Sequence, residues 1–156
     1  MDVHPHKPMR HIIEQMQALD LSNPDTFDLI PMGAQIVYIY RHPGMALADF
    51  FEKMLRLEKT PPSDEELESA TVLLAWSMIQ GLESGLCHLV GYSLNHPRFE
   101  MGVPVRTSPI LSIDEDFRWA RSWSRFYRIA DYEPGLWKDF EISGYIPQHY
   151  REVLFP

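Results

Sequence analysis

Apolar residues fall at helical spacing near the start of the chain, where Met9, Ile12, Ile13, Met16 and Leu19 share one face. They predict a short helix from Met9 to Leu19, entered from a flexible arm, residues 1–8, that carries two prolines. Asn23-Pro24-Asp25 then marks a turn. The run from Gly33 to Tyr40 is short, β-branched and aromatic, with Pro31 before it and His42-Pro43-Gly44 after it, a pattern that predicts a buried strand. From Met45 to Glu58 the stripe Leu47, Phe50, Phe51, Met54 and Leu55 lies opposite Asp49, Glu52, Lys53 and Arg56, which predicts an amphipathic helix. Thr60-Pro61-Pro62 interrupts the chain, and Ser63 with Glu66 forms a capping box that opens a second helix, expected to run to Gln80. Its apolar residues, among them Leu67, Val72, Leu73, Trp76 and Ile79, spread beyond a narrow stripe, as in an element buried on more than one side. Residues 9–80 thus read as mostly helical. Beyond Gly81 and Gly85 the character changes. Leu86 to Leu94 and Val103 to Ser108 suit two strands joined by a turn at Asn95-His96-Pro97.

Four arginines and four aromatics alternate from Arg118 to Arg128 with no acid between them. As a helix, the stretch sets Arg118, Arg121, Arg125 and Arg128 on one face, with Trp119, Trp123, Phe126 and Tyr127 opposite. As a strand, it sets Trp119, Arg121, Trp123, Arg125 and Tyr127 on one face, where the guanidiniums would lie between rings as a cation–aromatic ladder. Periodicity slightly prefers the helix.

Asn95-His96-Pro97, Gly102, Val105-Arg106-Thr107-Ser108-Pro109, Ile113-Asp114, Trp119-Ala120-Arg121 and Ser124-Arg125-Phe126-Tyr127-Arg128-Ile129 occur in that order. Together they resemble a motif of an uncharacterised family of small alphaproteobacterial and phage proteins, and cover about a quarter of the chain. Asn95 stands where that family has glycine, Ser122 where it has threonine, and Ala130 where it has a closing glycine. The resemblance implies a β-meander over residues 86–130 and no catalytic residues, and it selects the strand reading of 118–128. The expected fold is α+β: one domain, 1–156, with N-terminal helices packed on a small antiparallel sheet formed mainly by residues 86–130. An aromatic C-terminal wrap, residues 131–156, contributes Trp137, Phe140, Tyr145, Ile146, Tyr150 and Phe155 to the core or to another subunit.

A chain of 156 residues, 45% hydrophobic and 23% charged, can bury a core without disulfides. Its formal net charge of -8 opposes a surface that grips nucleic acid everywhere, so any such contact must be local. Cys87 is the one cysteine, and no secretory signal pattern opens the chain, which favours a reducing cytoplasm. The longest apolar run, Ala70 to Ile79, is far shorter than the roughly 20 residues of a membrane span.

Catalytic signatures are sparse. There is no phosphate-binding glycine-lysine-serine loop, no GxGxxG after the expected strand at 33–40 and no Gly-x-Ser-x-Gly elbow. Cys87 and His88 are neighbours, but on a strand they point to opposite faces. His11 with Glu14 lacks the second histidine of a zinc-protease helix. No metal or cofactor is expected. His42 and His96 each precede proline and suit turns whose ring nitrogens bond backbone.

The leading expectation is a non-enzymatic protein–protein interaction or regulatory protein, with a protein partner or homo-oligomer favoured over nucleic acid. Its special form is an inhibitor of phage or mobile-element origin directed at nucleic-acid-handling machinery. Arg118, Trp119, Arg121, Trp123, Arg125, Tyr127 and Arg128 are the candidate binding residues, favoured types at hot spots. A nucleic-acid module on the same residues is the alternative, with rings for bases and arginines for phosphates. A small enzyme with a site near Cys87, His88 and His96 is the third reading.

Overall fold

The computed structural model describes residues 3–94, 103–142 and 149–156, an α+β fold of helices and a mixed seven-stranded sheet. Helix α1 (Arg10–Gln17) buries Ile12, Ile13 and Met16, as its spacing predicts. A 3-10 segment, Pro24–Leu29, follows; the Asn23 side chain caps it by accepting from the Asp25 amide at 2.9 Å. Helices α2 (Met32–Arg41) and α3 (Leu47–Lys59) complete the first layer. Phe50, Phe51 and Met54 of α3 join α1 and α2 in one core.

The stretch 33–40 is helix α2, not a strand. Met32, Ile36, Ile39 and Tyr40 recur at helical spacing on one side, while Gly33, Ala34 and Val37 are buried on the other. Apolar residues on both sides erase the amphipathic signature, so the run looks like a buried strand. Gly33 is fixed by close approach: a Cβ there would stand 2.5 Å from the Ser84 carbonyl oxygen and 2.9 Å from Ile12 Cδ1.

The capping box is present, Ser63 Oγ accepting from the Glu66 amide and the Glu66 carboxylate from the Ser63 amide, both at 3.1 Å. The helix it opens, α4 (Asp64–Glu68), ends after five residues, and the expected continuation to Gln80 is strand β1 (Thr71–Gly81). β1 pairs with β2 (Cys87–Leu94) on one side, and on the other with β6 (Phe126–Tyr132) and then β7 (Tyr150–Val153). From Trp76 to Gly81 every successive residue is buried, so this half of the strand is covered on both faces and loses the alternation that marks a half-exposed strand. Residues 9–80 are therefore helical only as far as Glu68.

Strands β3 (Pro104–Arg106), β4 (Ile110–Ile113) and β5 (Trp119–Ser122) complete a sheet of order β3-β2-β1-β6-β5-β4, with β7 also on β1. The sheet is larger than expected and mixed, because β1 and β6 are parallel. β3 and β4 sit at opposite ends of this order, yet only residues 107–109 separate them. A link that short spans at most about 14 Å, so the sheet must curl until its edges meet. The Thr107 amide donates to Leu89 O at 2.9 Å, and the Trp123 amide to Pro109 O at 2.8 Å, on the two sides of the join. Leu73, Trp76, Met78, Leu89, Ile110, Ala120 and Tyr127 form a core of this curled sheet.

The N-terminal arm is docked, not loose, over residues 3–8. The Ile113 amide donates to His6 O at 2.9 Å, and Lys7 Nζ donates to Glu58 O at 3.3 Å. Arg10 pairs with the buried Glu58 carboxylate, which ties the start of α1 to the end of α3. At the C-terminal end, α5 (Leu136–Ile142) packs on β1 and β2 through Leu136 and Phe140, and Phe155 stands edge-on to Trp76 at 5.6 Å. The wrap is thus a helix and a strand; Tyr145 and Ile146 lie outside the described residues, as do Asn95-His96-Pro97 and Gly102. Among the described residues no helix is long and apolar enough to cross a membrane.

Candidate functional site

The stretch 118–128 is a hairpin, not one continuous strand. β5 pairs Trp119 with Arg128 and Arg121 with Phe126, and the chain reverses between Ser122 and Phe126. Ser122 makes the turn: its amide and Oγ both donate to Arg125 O, at 2.9 and 3.0 Å, and its Oγ accepts from the Arg125 amide at 3.1 Å. Serine hydroxyls that bond nearby backbone favour turns, and Ser122 and Ser124 on either side of Trp123 were the available signal. The reversal breaks the expected ladder. Arg121 lies over Phe126, 4.6 Å from the ring centroid, and not between Trp119 and Trp123. Burial makes the charge on Arg121 costlier and lowers its pKa.

The other members serve separate places. Arg118 bonds Asp114 through Nε at 2.7 Å, and its amide donates to the same carboxylate oxygen at 3.1 Å. Trp119 is half-buried and meets Phe126 edge-on at 5.9 Å. Arg128 is half-buried, its Nε without a hydrogen-bond partner. Tyr127 is buried in the sheet core, and burial raises its phenol pKa. Trp123 leaves the sheet for the helical core, where it stands 5.7 Å from Phe50 and its Nε1–H donates to His42 Nε2 at 3.0 Å. His42 thus bonds a side chain, not the backbone expected of it. Arg121 and Arg125 do share a polar cleft of about 440 Å³ with Ser69, Thr71 and Ser124, but Glu66 is also in its wall.

Cys87 and His88 point to opposite faces of β2, pairing across to Gln80 and Ile79 respectively. Cys87 is fully buried and its thiol pKa is pushed up to about 12, far from the thiolate a nucleophile needs. His88 donates its Nδ1 proton to Thr107 O at 2.8 Å, and burial lowers its pKa to about 4. No thiol–imidazole couple forms, and His96 lies outside the described residues. Among the described residues no group of three His, Cys, Asp or Glu side chains could hold a metal.

The low His88 pKa has a measurable consequence. Below pH 6.5 the unfolded chain takes up a proton that the folded imidazole refuses until about pH 4, so stability is present above pH 6.5 and falls as pH drops through that window. The loss is on the order of 3 kcal/mol. Denaturant melts at pH 7.5 and 4.5 should therefore show a smaller pH-dependent loss for His88→Gln than for the wild type; equal losses contradict this assignment.

A different place in the fold gathers exposed apolar surface. Helix α2 shows Met32, Ile39 and Tyr40 to solvent at 51%, 56% and 80% exposure, with Ile36 half-buried between them. This ridge runs between two grooves. One, of about 610 Å³, separates α2 from the β1–β2 turn and β3, with Val37, Leu86 and Trp123 buried in its wall and Leu82 exposed on its rim. Arg41, Arg106 and His88 also line it, along with Glu83. The other, of about 500 Å³, lies between Ile39 and Tyr38 on one side and Leu21, Pro24 and Phe27 on the other. Sequence reasoning misses this site because the run 33–40 reads as a strand and the groove walls come from distant segments. The available signal was helical: Met32, Ile36, Ile39 and Tyr40 stand at i, i+4, i+7 and i+8. No family model, curated protein or solved structure matches the chain.

Proposed function

We propose that this chain is a non-enzymatic protein-interaction module, and that its binding face is the α2 ridge with the grooves beside it. One observation carries the reading: α2 is packed by Gly33, Ala34 and Val37, so the exposed stripe of Met32, Ile39 and Tyr40 is not needed to hold the helix in place. Contiguous exposed apolar surface of this kind marks sites of association. The arginine stretch supports a contact surface less well. Its Trp123 and Tyr127 are buried, Arg118 is already paired, and the cleft of Arg121 and Arg125 is bordered by acidic α4, which repels phosphate.

A photoreactive benzophenone amino acid placed at position 40, in the cells that make the protein, tests this reading. The expected result is one discrete cross-linked adduct that disappears when Ile39→Glu is added, with none from position 138 on α5. If position 40 yields no adduct, the reading fails. A nucleic-acid-handling protein as the captured partner would favour the regulatory form of this reading, and inhibition would then show as a loss of that partner's activity when the protein is added.

A further inference from the structure

The larger groove carries a specific charge pattern. The chain has 22 acidic against 14 basic side chains, so an exposed guanidinium has many carboxylates available to it. Arg10 and Arg118 each have one. Arg41 and Arg106 have no carboxylate partner among the described residues, a state they share with Arg56, Arg121, Arg125 and Arg128; what sets them apart is that both are exposed and both line this one apolar groove, which Glu83 also lines. Arg106 is held in place instead: one of its terminal nitrogens donates to Tyr150 Oη at 2.9 Å, and its guanidinium carbon stands 5.9 Å from that ring's centroid. A guanidinium has five N–H donors, so most of those on Arg106 remain to bind a ligand. His88 is neutral above its low pKa and adds no charge near neutral pH.

The groove therefore offers an apolar wall of Val37, Leu86 and Trp123, an apolar rim of Met32 and Leu82, and two available cations from opposite walls, α2 and β3. Resting on the reading of α2 as a binding face, we infer that its occupant is an amphipathic segment of another protein that inserts apolar side chains between α2 and the β1–β2 turn and sets carboxylates against Arg41 and Arg106. Guanidinium–carboxylate pairs are geometrically selective and fix the register of such a segment, while the apolar residues supply most of the affinity. A second copy of this chain suits the groove less well, because a twofold axis through the groove would set its arginines against their own copies, and any self-association joins two bodies of net charge -8.

Two synthetic helix-forming peptides with the same leucine and phenylalanine face, one flanked by glutamates and the other by lysines, provide the test by fluorescence anisotropy. At low salt the glutamate peptide is expected to bind at least tenfold tighter, with a preference that shrinks as salt rises. Arg41→Glu with Arg106→Glu should reverse the preference, and Arg41→Glu alone, at an exposed helix end, should reduce it if the double variant does not fold. Leu82→Glu should weaken the glutamate peptide. Equal binding of the two peptides, or a preference untouched by Arg41→Glu, overturns the inference. Absence of binding by either peptide also overturns it, and an adduct from position 40 would then leave the α2 reading standing. Loss of both the adduct and peptide binding removes both.

Discussion

Trp123→Ala is expected to destabilise the fold by about 3–5 kcal/mol, the usual cost of deleting a buried tryptophan. The ring stands at a junction. It leaves the β5–β6 turn, enters the helical core beside Phe50, and donates to His42 at the end of α2. Its loss opens a cavity between the layers and leaves His42 Nε2 without its donor. Trp123→Phe should cost less, since a ring remains and the lost hydrogen bond is worth about 1 kcal/mol. Arg125→Ala, half-buried in the same turn but bonded to Ser122 only through its main chain, should cost no more than about 1 kcal/mol. Urea melts of the three variants compare these values; similar losses for Trp123→Ala and Arg125→Ala would contradict the division of labour within the hairpin.

Gly91→Ala is expected to be as damaging. A Cβ at Gly91 would stand 2.2 Å from the Ala75 carbonyl oxygen and 3.3 Å from Trp76 Cα, beside the bulge where the β1–β2 register shifts between Leu73 and Ala75. The obstruction is backbone in the two longest strands, so no side-chain rotation relieves it. Forced overpacking costs about 1–3 kcal/mol where neighbours can shift, and the main chain of β1, paired on both sides, shifts least. The expected outcome is a loss at or above the top of that range, or no folded protein. A variant that melts like the wild type would show that the β1–β2 pairing is looser than the structure has it.

What the sequence made legible follows from how local each signal is. The α1 and α3 stripes, the Ser63–Glu66 capping box and the β2 strand depend on residues within one or two turns of each other, and they are found where expected. β1 and α2 differ from expectation for one reason: both carry apolar residues on more than one side, so neither shows a single apolar face set against a polar one, and the helical spacing within α2 is masked by its other apolar residues. For β1 the cause is cover on both faces from Trp76 to Gly81, together with apolar residues such as Leu74 on its more open half. For α2 it is a buried side plus a solvent-facing stripe. For the stretch 118–128 periodicity prefers the helix and only the resemblance selects strand; neither shows the turn, which rests on Ser122, a residue that a continuous strand sets on an ordinary face. The groove could not be read at all, because α2, the β1–β2 turn and β3 meet only through the curl of the sheet.

The central claim is that the exposed side of α2 is covered by another protein when this chain is at work. Hydroxyl-radical footprinting of Met32 and Tyr40, in the producing cells and in dilute purified protein, tests it most directly. Both side chains should oxidise readily when purified and be several-fold protected in the cell, while the exposed Leu154 reacts alike in both. Equal oxidation of Met32 and Tyr40 in the two settings would contradict the account.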